Sequence, residues 1–409
     1  MEAKLKRYLT AQEVAEALGI SVATVYAYVS RGLLRSEAAG GSTRNRRYYG
    51  EDVERLKARQ AQRQHPEKVT ETALHWGAPL LESGLTLIAD GRPFYRGVDA
   101  LELAQSEAIE AVAALLWTGD LDAEITGLRN ALMSLPPRCQ AMASQLGGAS
   151  AFERFQVLLP LAALDDLAAY DLRPASVMQA GARILRLLAA IAADRPVGEE
   201  SIASLLQQAW RPDDARAAYL LNMALVLCAD HELNVSAFTA RCVASASSTP
   251  YAAVIAGMAA LQGTKHGGNT EQVTALFREI GTPGNVQQAL VSRIKRGEYM
   301  PGFGHPLYAD GDLRGRLLLD TVMNHHPESD AVQLAAAIEA QVMQLTGQPP
   351  NIDFALVVLA QTLQLPAGAP LTLFALGRTV GWIGHILEQY ESDQLIRPRA
   401  RYMGPQPPV

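Results

Sequence analysis

Cysteine is scarce: Cys139, Cys228 and Cys242 are the three in a chain of 409 residues, and none forms a Cys-x-x-Cys pair. That argues against a disulfide framework and for reduced thiols. Aromatics are few as well, at 6%, while hydrophobic residues reach 49% with alanine and leucine abundant. This balance disfavours an all-β protein and favours a mainly α one. No phosphate-cradling Gly-x-x-x-x-Gly-Lys loop, metal-binding spacing or internal repeat is present. The first residues lack the apolar run of a secretion signal. Stretches such as Leu185–Ala193 and Ala217–Ala229 are shorter than a bilayer span and sit beside charges. The expectation is a cytoplasmic protein with no membrane partner and no metal, built as two or three domains.

Charge is unevenly placed. Residues 1–65 hold twelve lysines and arginines against seven acids, a surplus of five cations. The formal net charge of the whole chain is −6, so the remainder carries −11. Within the basic segment, Thr10-Ala11-Gln12-Glu13 has a helix N-cap with Glu three residues on, a capping box. Val14, Ala15 and Leu18 follow at helical spacing, and Gly19 ends the helix. Ser21 caps a second short helix containing Val22, Val25 and Tyr26. A Gly-Gly-Ser-Thr turn at 40–43 then separates basic segments. Arg44-Asn45-Arg46-Arg47-Tyr48-Tyr49 reads as the returning strand of a small wing, and another helix starts at Glu51. Residues 7–60 resemble the winged helix-turn-helix of MerR-type and excisionase-type domains. The resemblance implies duplex DNA as a partner. Groove contacts would come from Ser21, Thr24, Tyr26 and Tyr28, and phosphate contacts from Arg44, Arg46 and Arg47.

Residues 61–70 are polar, contain a proline and read as a linker. From about residue 71 a new domain begins. Leu85-Thr86-Leu87-Ile88, Asp90-Gly91 and Phe94-Tyr95 predict a β-hairpin with an Asp-Gly turn. Beyond it, helical periodicity dominates, broken by Gly, Pro and Asp clusters.

Four runs in this part stand out in order. They are Asp230-His231-Glu232-Leu233-Asn234-Val235-Ser236, Lys265-His266-Gly267-Gly268, Gly302-Phe303-Gly304-His305, and Gly377-Arg378-Thr379-Val380-Gly381-Trp382 leading on to Arg397-Pro398-Arg399. With Asp353 in Asn351-Ile352-Asp353-Phe354, they resemble the citrate synthase family over roughly residues 75–405. The fold implied is a large helical domain, 71–254 with 351–409, and a small helical domain, 255–350, preceded by the winged domain at 1–65. The reaction implied joins acetyl-CoA to oxaloacetate and water, giving citrate and CoA with no permanently bound cofactor.

Removing a proton from a thioester methyl requires a carboxylate base and immediate stabilisation of the enolate. By resemblance Asp353 is the base, His266 the donor to the thioester oxygen, and His305 the acid on the oxaloacetate carbonyl. His231 would bind oxaloacetate with support from Asn234. Arg314, Arg378 and Arg397 would hold its carboxylates, as planar guanidinium groups do well. Gly302, Phe303 and Gly304 would recognise the adenine of CoA. In the family the last arginine comes from the partner subunit, which implies a homodimer. The paired glycines would bring backbone close to substrate, with His266 at a helix start.

Three departures from the family pattern bear on the acyl preference. Asn269-Thr270 stands where Ala-Asn is more usual. Thr264-Lys265 replaces an apolar pair, and Lys265 would oppose protonation of His266. Pro306 follows His305 where many bacterial members carry Arg. Three other uses remain open: 2-methylcitrate synthesis from propionyl-CoA, cleavage of citryl-CoA by the same residues, and a DNA-binding regulator whose family-like part has become a sensor. His325-His326 is expected in a loop, and His385 and Trp382 in structural roles.

Overall fold

The computed structural model describes residues 8–30, 34–38, 46–50, 52–53, 56, 81–128, 134–308, 310–400 and 402–405. The chain divides into two units, Met1–Glu82 and Ser83–Val409. In the first, helix α1 (Ala11–Leu18) starts where Thr10 and Glu13 exchange the expected capping bonds, and it stops at Gly19 with φ +62°. The Thr24 N–H donates to Ser21 Oγ (3.2 Å) at the start of α2 (Val22–Ser30). Strand β1 (Tyr8–Leu9) and β2 (Ser36–Ala38) flank β3 (Arg46–Tyr49), all antiparallel. The sequence reading anticipated β3 as a wing strand but not its pairing with β1. Val14, Leu18, Val25, Leu34, Tyr48 and Val53 form the core of this unit. Asp52 is buried and takes two bonds of 3.0 Å from the Arg35 guanidinium. The predicted turn at 40–43, Arg44 and the linker at 61–70 lie outside the described residues.

The second unit opens with the expected hairpin, β4 (Thr86–Ala89) and β5 (Arg92–Tyr95), joined by β6 (Val98–Asp99) at its edge. Asp90 and Gly91 both have positive φ, 49° and 73°, the two-residue turn that matches strand twist. Helices then follow to the C-terminus: α3 (Ala100–Ser106), α4 (Ile109–Thr118), α5 (Pro137–Ala143), α6 (Ala151–Ala163), α7 (Pro174–Ala193), α8 (Ile202–Trp210), α9 (Ala217–Leu227), α10 (Val235–Ala244) and α11 (Pro250–Leu261). After these come α12 (Asn269–Ile280), α13 (Val286–Lys295), α14 (Leu313–His325), α15 (Asp330–Thr346), α16 (Ile352–Thr362) and α17 (Ala369–Ser392).

The longest of these, α17, is buried along most of its length and packs against α4, α7, α9, α10 and α11. Close approach is set by small residues. A Cβ on Gly381 would stand 2.4 Å from the Ala229 carbonyl oxygen, and the Gly381 N–H donates to that oxygen at 3.0 Å. Helix α17 is thereby locked onto the loop that follows α9. Burying a side chain the size of Trp382 contributes about 1.5–3 kcal/mol, and Trp382 is fully enclosed.

Two expectations are corrected here. Leu185–Ala193 is the end of a 20-residue helix, α7, which is long and apolar enough to cross a membrane by length and composition alone; 72% of that stretch is buried inside the protein. His325 is the last residue of α14 and His326 its C-cap, not a loop pair, because the Leu318–Val322 stripe holds the helix together up to that point.

Candidate active site

Asp353 sits in the first turn of α16. The helix begins there because the Asn351 side chain accepts from the Asp353 and Phe354 N–H groups at 3.1 and 3.4 Å. The irregular lead-in at 349–351 is stitched to the 302–304 run. Gly304 N–H donates to the Pro349 carbonyl (2.8 Å), Asn351 N–H to the Gly302 carbonyl (2.9 Å) and Asn351 Nδ2 to the Gly304 carbonyl (3.0 Å). Asp353 Oδ2 accepts from Asn269 Nδ2 at 2.8 Å. Its Oδ1 is shut off from solvent and makes no hydrogen bond. Burial pushes the Asp353 carboxyl up to about 6, with Asn269 and the Arg314 charge pulling the other way.

His266 lies three residues before Asn269, in the tight turn between α11 and α12. Its N–H donates to the Gly263 carbonyl (2.9 Å), and its carbonyl accepts from Asn269 N–H (3.0 Å). The helix starts at Asn269 rather than at His266. The paired glycines serve this turn. A Cβ on Gly268 would fall 2.2 Å from the Gln262 carbonyl oxygen, and one on Gly267 2.7 Å from Leu261 Cδ1. Both glycines thus face the end of α11, a packing role in addition to the expected close approach of backbone to substrate.

The imidazole of His266 packs edge-on to Phe374, with its Nε2 2.8 Å from Ser236 Oγ. Ser236 Oγ also accepts from the Trp382 indole N–H (3.1 Å) and lies 2.7 Å from Asn234 Oδ1. That Oδ1 already accepts the Ser236 and Ala237 N–H groups, each at 3.1 Å, as the N-cap of α10. One hydroxyl proton therefore has two acceptors in reach, and its choice sets the His266 tautomer. Burial, then the Arg378 charge, lowers His266 to about 3, so the ring is neutral at pH 7. Lys265 is exposed and is not among the causes, against expectation.

A second group gathers His231, His305, Tyr308 and Arg314. His231 Nε2 is 2.8 Å from the Tyr308 hydroxyl. The His231 and His305 rings meet edge-on with centroids 5.2 Å apart, and the Arg314 guanidinium lies 5.4 Å from the Tyr308 ring centre. Leu307 N–H donates to His305 Nδ1 (3.2 Å), which leaves the ring hydrogen of a neutral His305 on Nε2. Burial and Arg314 lower His305 to about 4 and push His231 well down too.

Arg314 is buried and bonded to Asp312 through Nε (2.9 Å) and Nη2 (2.8 Å). Asp312 also accepts the Ile352 N–H (3.1 Å), which ties this arginine to the start of the Asp353 helix. Arg378 is buried, donates from Nε to the Cys228 carbonyl (2.9 Å) and keeps an Nη1 with no partner. It lies over the Phe374 ring that also touches His266.

Asp230, next to His231, belongs to a buried ionic group. Its Oδ2 accepts from the Thr86 hydroxyl (2.6 Å) and its Oδ1 is 3.2 Å from His385 Nε2. His385 Nδ1 is 3.6 Å from a Glu388 oxygen. Burial opposes charge on His385, but Asp230 and Glu388 overcome it and raise the imidazole to about 9. The Tyr95 hydroxyl donates to the Val226 carbonyl (3.0 Å) and accepts from Asp230 N–H (3.3 Å).

Other anticipated residues are placed differently. Gly302 and Phe303 are buried, with the Phe303 ring tilted against that of Phe354 at a centroid distance of 4.8 Å; Gly304 alone of the three is partly exposed. Arg397 is exposed beyond α17, outside these groups. In the N-terminal unit, Ser21, Arg46 and Arg47 are exposed, as is Tyr26 at 55%, whereas Thr24 is half-buried and Tyr28 packs against the small core. Sequence reasoning missed Ser236, Tyr308, Asp312 and Asn269 as contacts of the key side chains. Signals were available for two of them: Ser236 closes the quoted Asp230–Ser236 run, and Asn269 opens the Asn269-Thr270 departure from the family pattern.

Comparison with known proteins places both parts of the chain in described families. Residues 8–61 match the model of a helix-turn-helix domain. The chain is 38% identical to citrate synthase 2 of Bacillus subtilis over 187 residues, a match covering 45% of this chain and 50% of that protein. It is 29% identical to the 2-methylcitrate synthase of Mycobacterium tuberculosis over 353 residues, covering 76% and 84%. The crystal structure of citrate synthase from Thermotoga maritima superposes with a TM-score of 0.70 at 25% identity, covering 81% of this chain and 96% of that one. Residues 73–399, most of the chain, match the family model described as citrate synthase, C-terminal domain, and the chain belongs to the citrate synthase family.

Proposed function

We propose that this protein is a cytoplasmic acyltransferase that condenses an acyl-CoA with oxaloacetate, with acetyl-CoA giving citrate and CoA. The carrying observation is Asp353, whose Oδ1 is buried and unbonded while Oδ2 is held. A buried acceptor with no partner costs about 1–3 kcal/mol, so its retention calls for a use. In this reading Oδ1 takes a proton from the thioester methyl. His266 donates a hydrogen bond from Nδ1 to the developing enolate oxygen while the Ser236 hydroxyl turns to its Nε2. The enolate carbon attacks the oxaloacetate carbonyl carbon, and His305 Nε2–H supplies the proton to its oxygen. Water then cleaves the citryl thioester and releases CoA.

The dicarboxylate would lie against the unpaired Nη1 of Arg378, with Arg314 and His231 beside it. Arg397 would reach the site of a partner subunit in a homodimer, which fits its exposure past α17. Asn234 supports the site through its cap and through Ser236. The 302–304 run would meet the adenine only at its exposed margin, around Gly304. Residues 71–254 with 351–409 would form a large domain and 255–350 a small one that closes on substrate. Thiol release with acetyl-CoA and with propionyl-CoA, each with and without oxaloacetate, tests the reaction. Oxaloacetate-dependent release is expected; its absence with both thioesters would end this reading.

Propionyl-CoA is the second substrate considered, because 2-methylcitrate synthase of Mycobacterium tuberculosis is among the relatives. One methylene changes selectivity by only about 10–200-fold, so the same assay ranks the two. A regulatory reading rests on the N-terminal unit, with Arg46 and Arg47 exposed on its wing strand. The full chain would then bind duplex DNA with a steep salt dependence, and Arg46→Ala with Arg47→Ala would flatten that slope by about two counterions.

A further inference from the structure

We infer that Asn269, braced by Tyr299, assigns the two oxygens of Asp353 different duties: Oδ2 is held fast and Oδ1 alone exchanges a proton. This rests on the reading of Asp353 as the base. Asn269 is the first residue of α12, which packs against α16. Its Nδ2 donates to Asp353 Oδ2 (2.8 Å), and its Oδ1 accepts from the Tyr299 hydroxyl (3.1 Å). Both neighbours fix the amide the same way round. An ionised carboxylate only accepts, and a phenol facing a carbonyl oxygen donates. A proton on Oδ2 would have to displace the amide N–H, whereas Oδ1 has nothing to displace.

The choice of an amide matters chemically. A guanidinium in this place would hold the carboxyl ionised and weakly basic. An alanine would leave both oxygens bare and the group free to turn. The neutral amide orients the carboxylate and moderates only in part the rise that burial imposes. Asn269 also follows His266 by three residues, joined to it by a backbone hydrogen bond, so one short turn sets both groups. Asn269 is thus a positioning residue, acting through Asp353.

The test is a carboxyl carbon-13 titration of the full chain, with the Asp353 signal identified by its loss in Asp353→Asn. The wild-type midpoint is expected near 6. In Asn269→Ala it should rise by about one pH unit, and in Tyr299→Phe by less in the same direction. The acid limb of condensation should follow both shifts, with kcat of Asn269→Ala down about tenfold from lost orientation. Because Tyr299 is exposed, its variant keeps the test open if Asn269→Ala does not fold. Unmoved midpoints would overturn the assignment. Condensation by Asp353→Asn tests the base separately. If that variant turns over as fast as the parent, Asp353 is not the base, while the titration still decides whether Asn269 braces it.

Discussion

Asp230 and Asp353 are both removed from water within the same unit, yet their acidities move in opposite directions. Around Asp230 the charge is answered: His385, raised to about 9, lies against it, and the Thr86 hydroxyl donates to its other oxygen. Against its own burial, Asp230 is held below the usual carboxylate range. Around Asp353 the answer is incomplete. A neutral amide holds one oxygen, the arginines act only from a distance, and burial wins. Enclosure alone therefore does not make a carboxylate reactive. What separates a fastening from a candidate base is whether a cation sits in direct contact.

His385→Ala should cause the largest change if Asp230 is the fastening. Stranding one half of a buried pair costs about 3–5 kcal/mol, and a fall in Tm at neutral pH would register it. The imidazole is raised in the folded state, so its contribution is complete below the unfolded value near 6.5 and is lost as pH rises through about 9. The Tm values of variant and parent should therefore draw together in alkaline buffer. Equal Tm at neutral pH would dissolve the contrast between the two aspartates.

Asp353→Asn should leave Tm nearly unchanged and lower condensation by at least about 10²-fold, with oxaloacetate binding retained by calorimetry. Turnover close to that of the parent would put Asp353 in the same class as Asp230. Ser236→Ala should reduce kcat by about tenfold, the weight of one ordinary hydrogen bond, with little change in oxaloacetate affinity. An unaltered kcat would mean that the Ser236 proton stays with Asn234. The mildest effect is on the pH profile of the parent. A base near 6 must be ionised to act, so kcat should fall tenfold for each pH unit below that value. A limb near 4 would show that burial of Asp353 is relieved in solution.

Local chemistry was readable in the sequence; distant pairing was not. Thr10 with Glu13 and Asp90 with Gly91 announced a cap and a turn, because each involves neighbours within three residues. The motif runs contained His231, His266, His305 and Arg378, and the structure puts these, with Arg314, at buried or half-buried positions of one unit. By contrast, Asp230 meets His385 across 155 positions and Asn269 meets Asp353 across 84. No periodicity encodes such meetings; packing of α17 and of α12 creates them. Even for Gly268, visible as half of a conspicuous pair, only the structure reveals that its missing Cβ makes room for the end of α11.

The seam between Gly381 and Ala229 has a consequence for biosynthesis. The segment bearing His231 is synthesised long before the surface it leans on, which lies among residues 369–392. A nascent polypeptide stalled before that stretch has its imidazoles translated and nowhere to seat them. Nascent chains should accordingly be inert until α17 has emerged and packed.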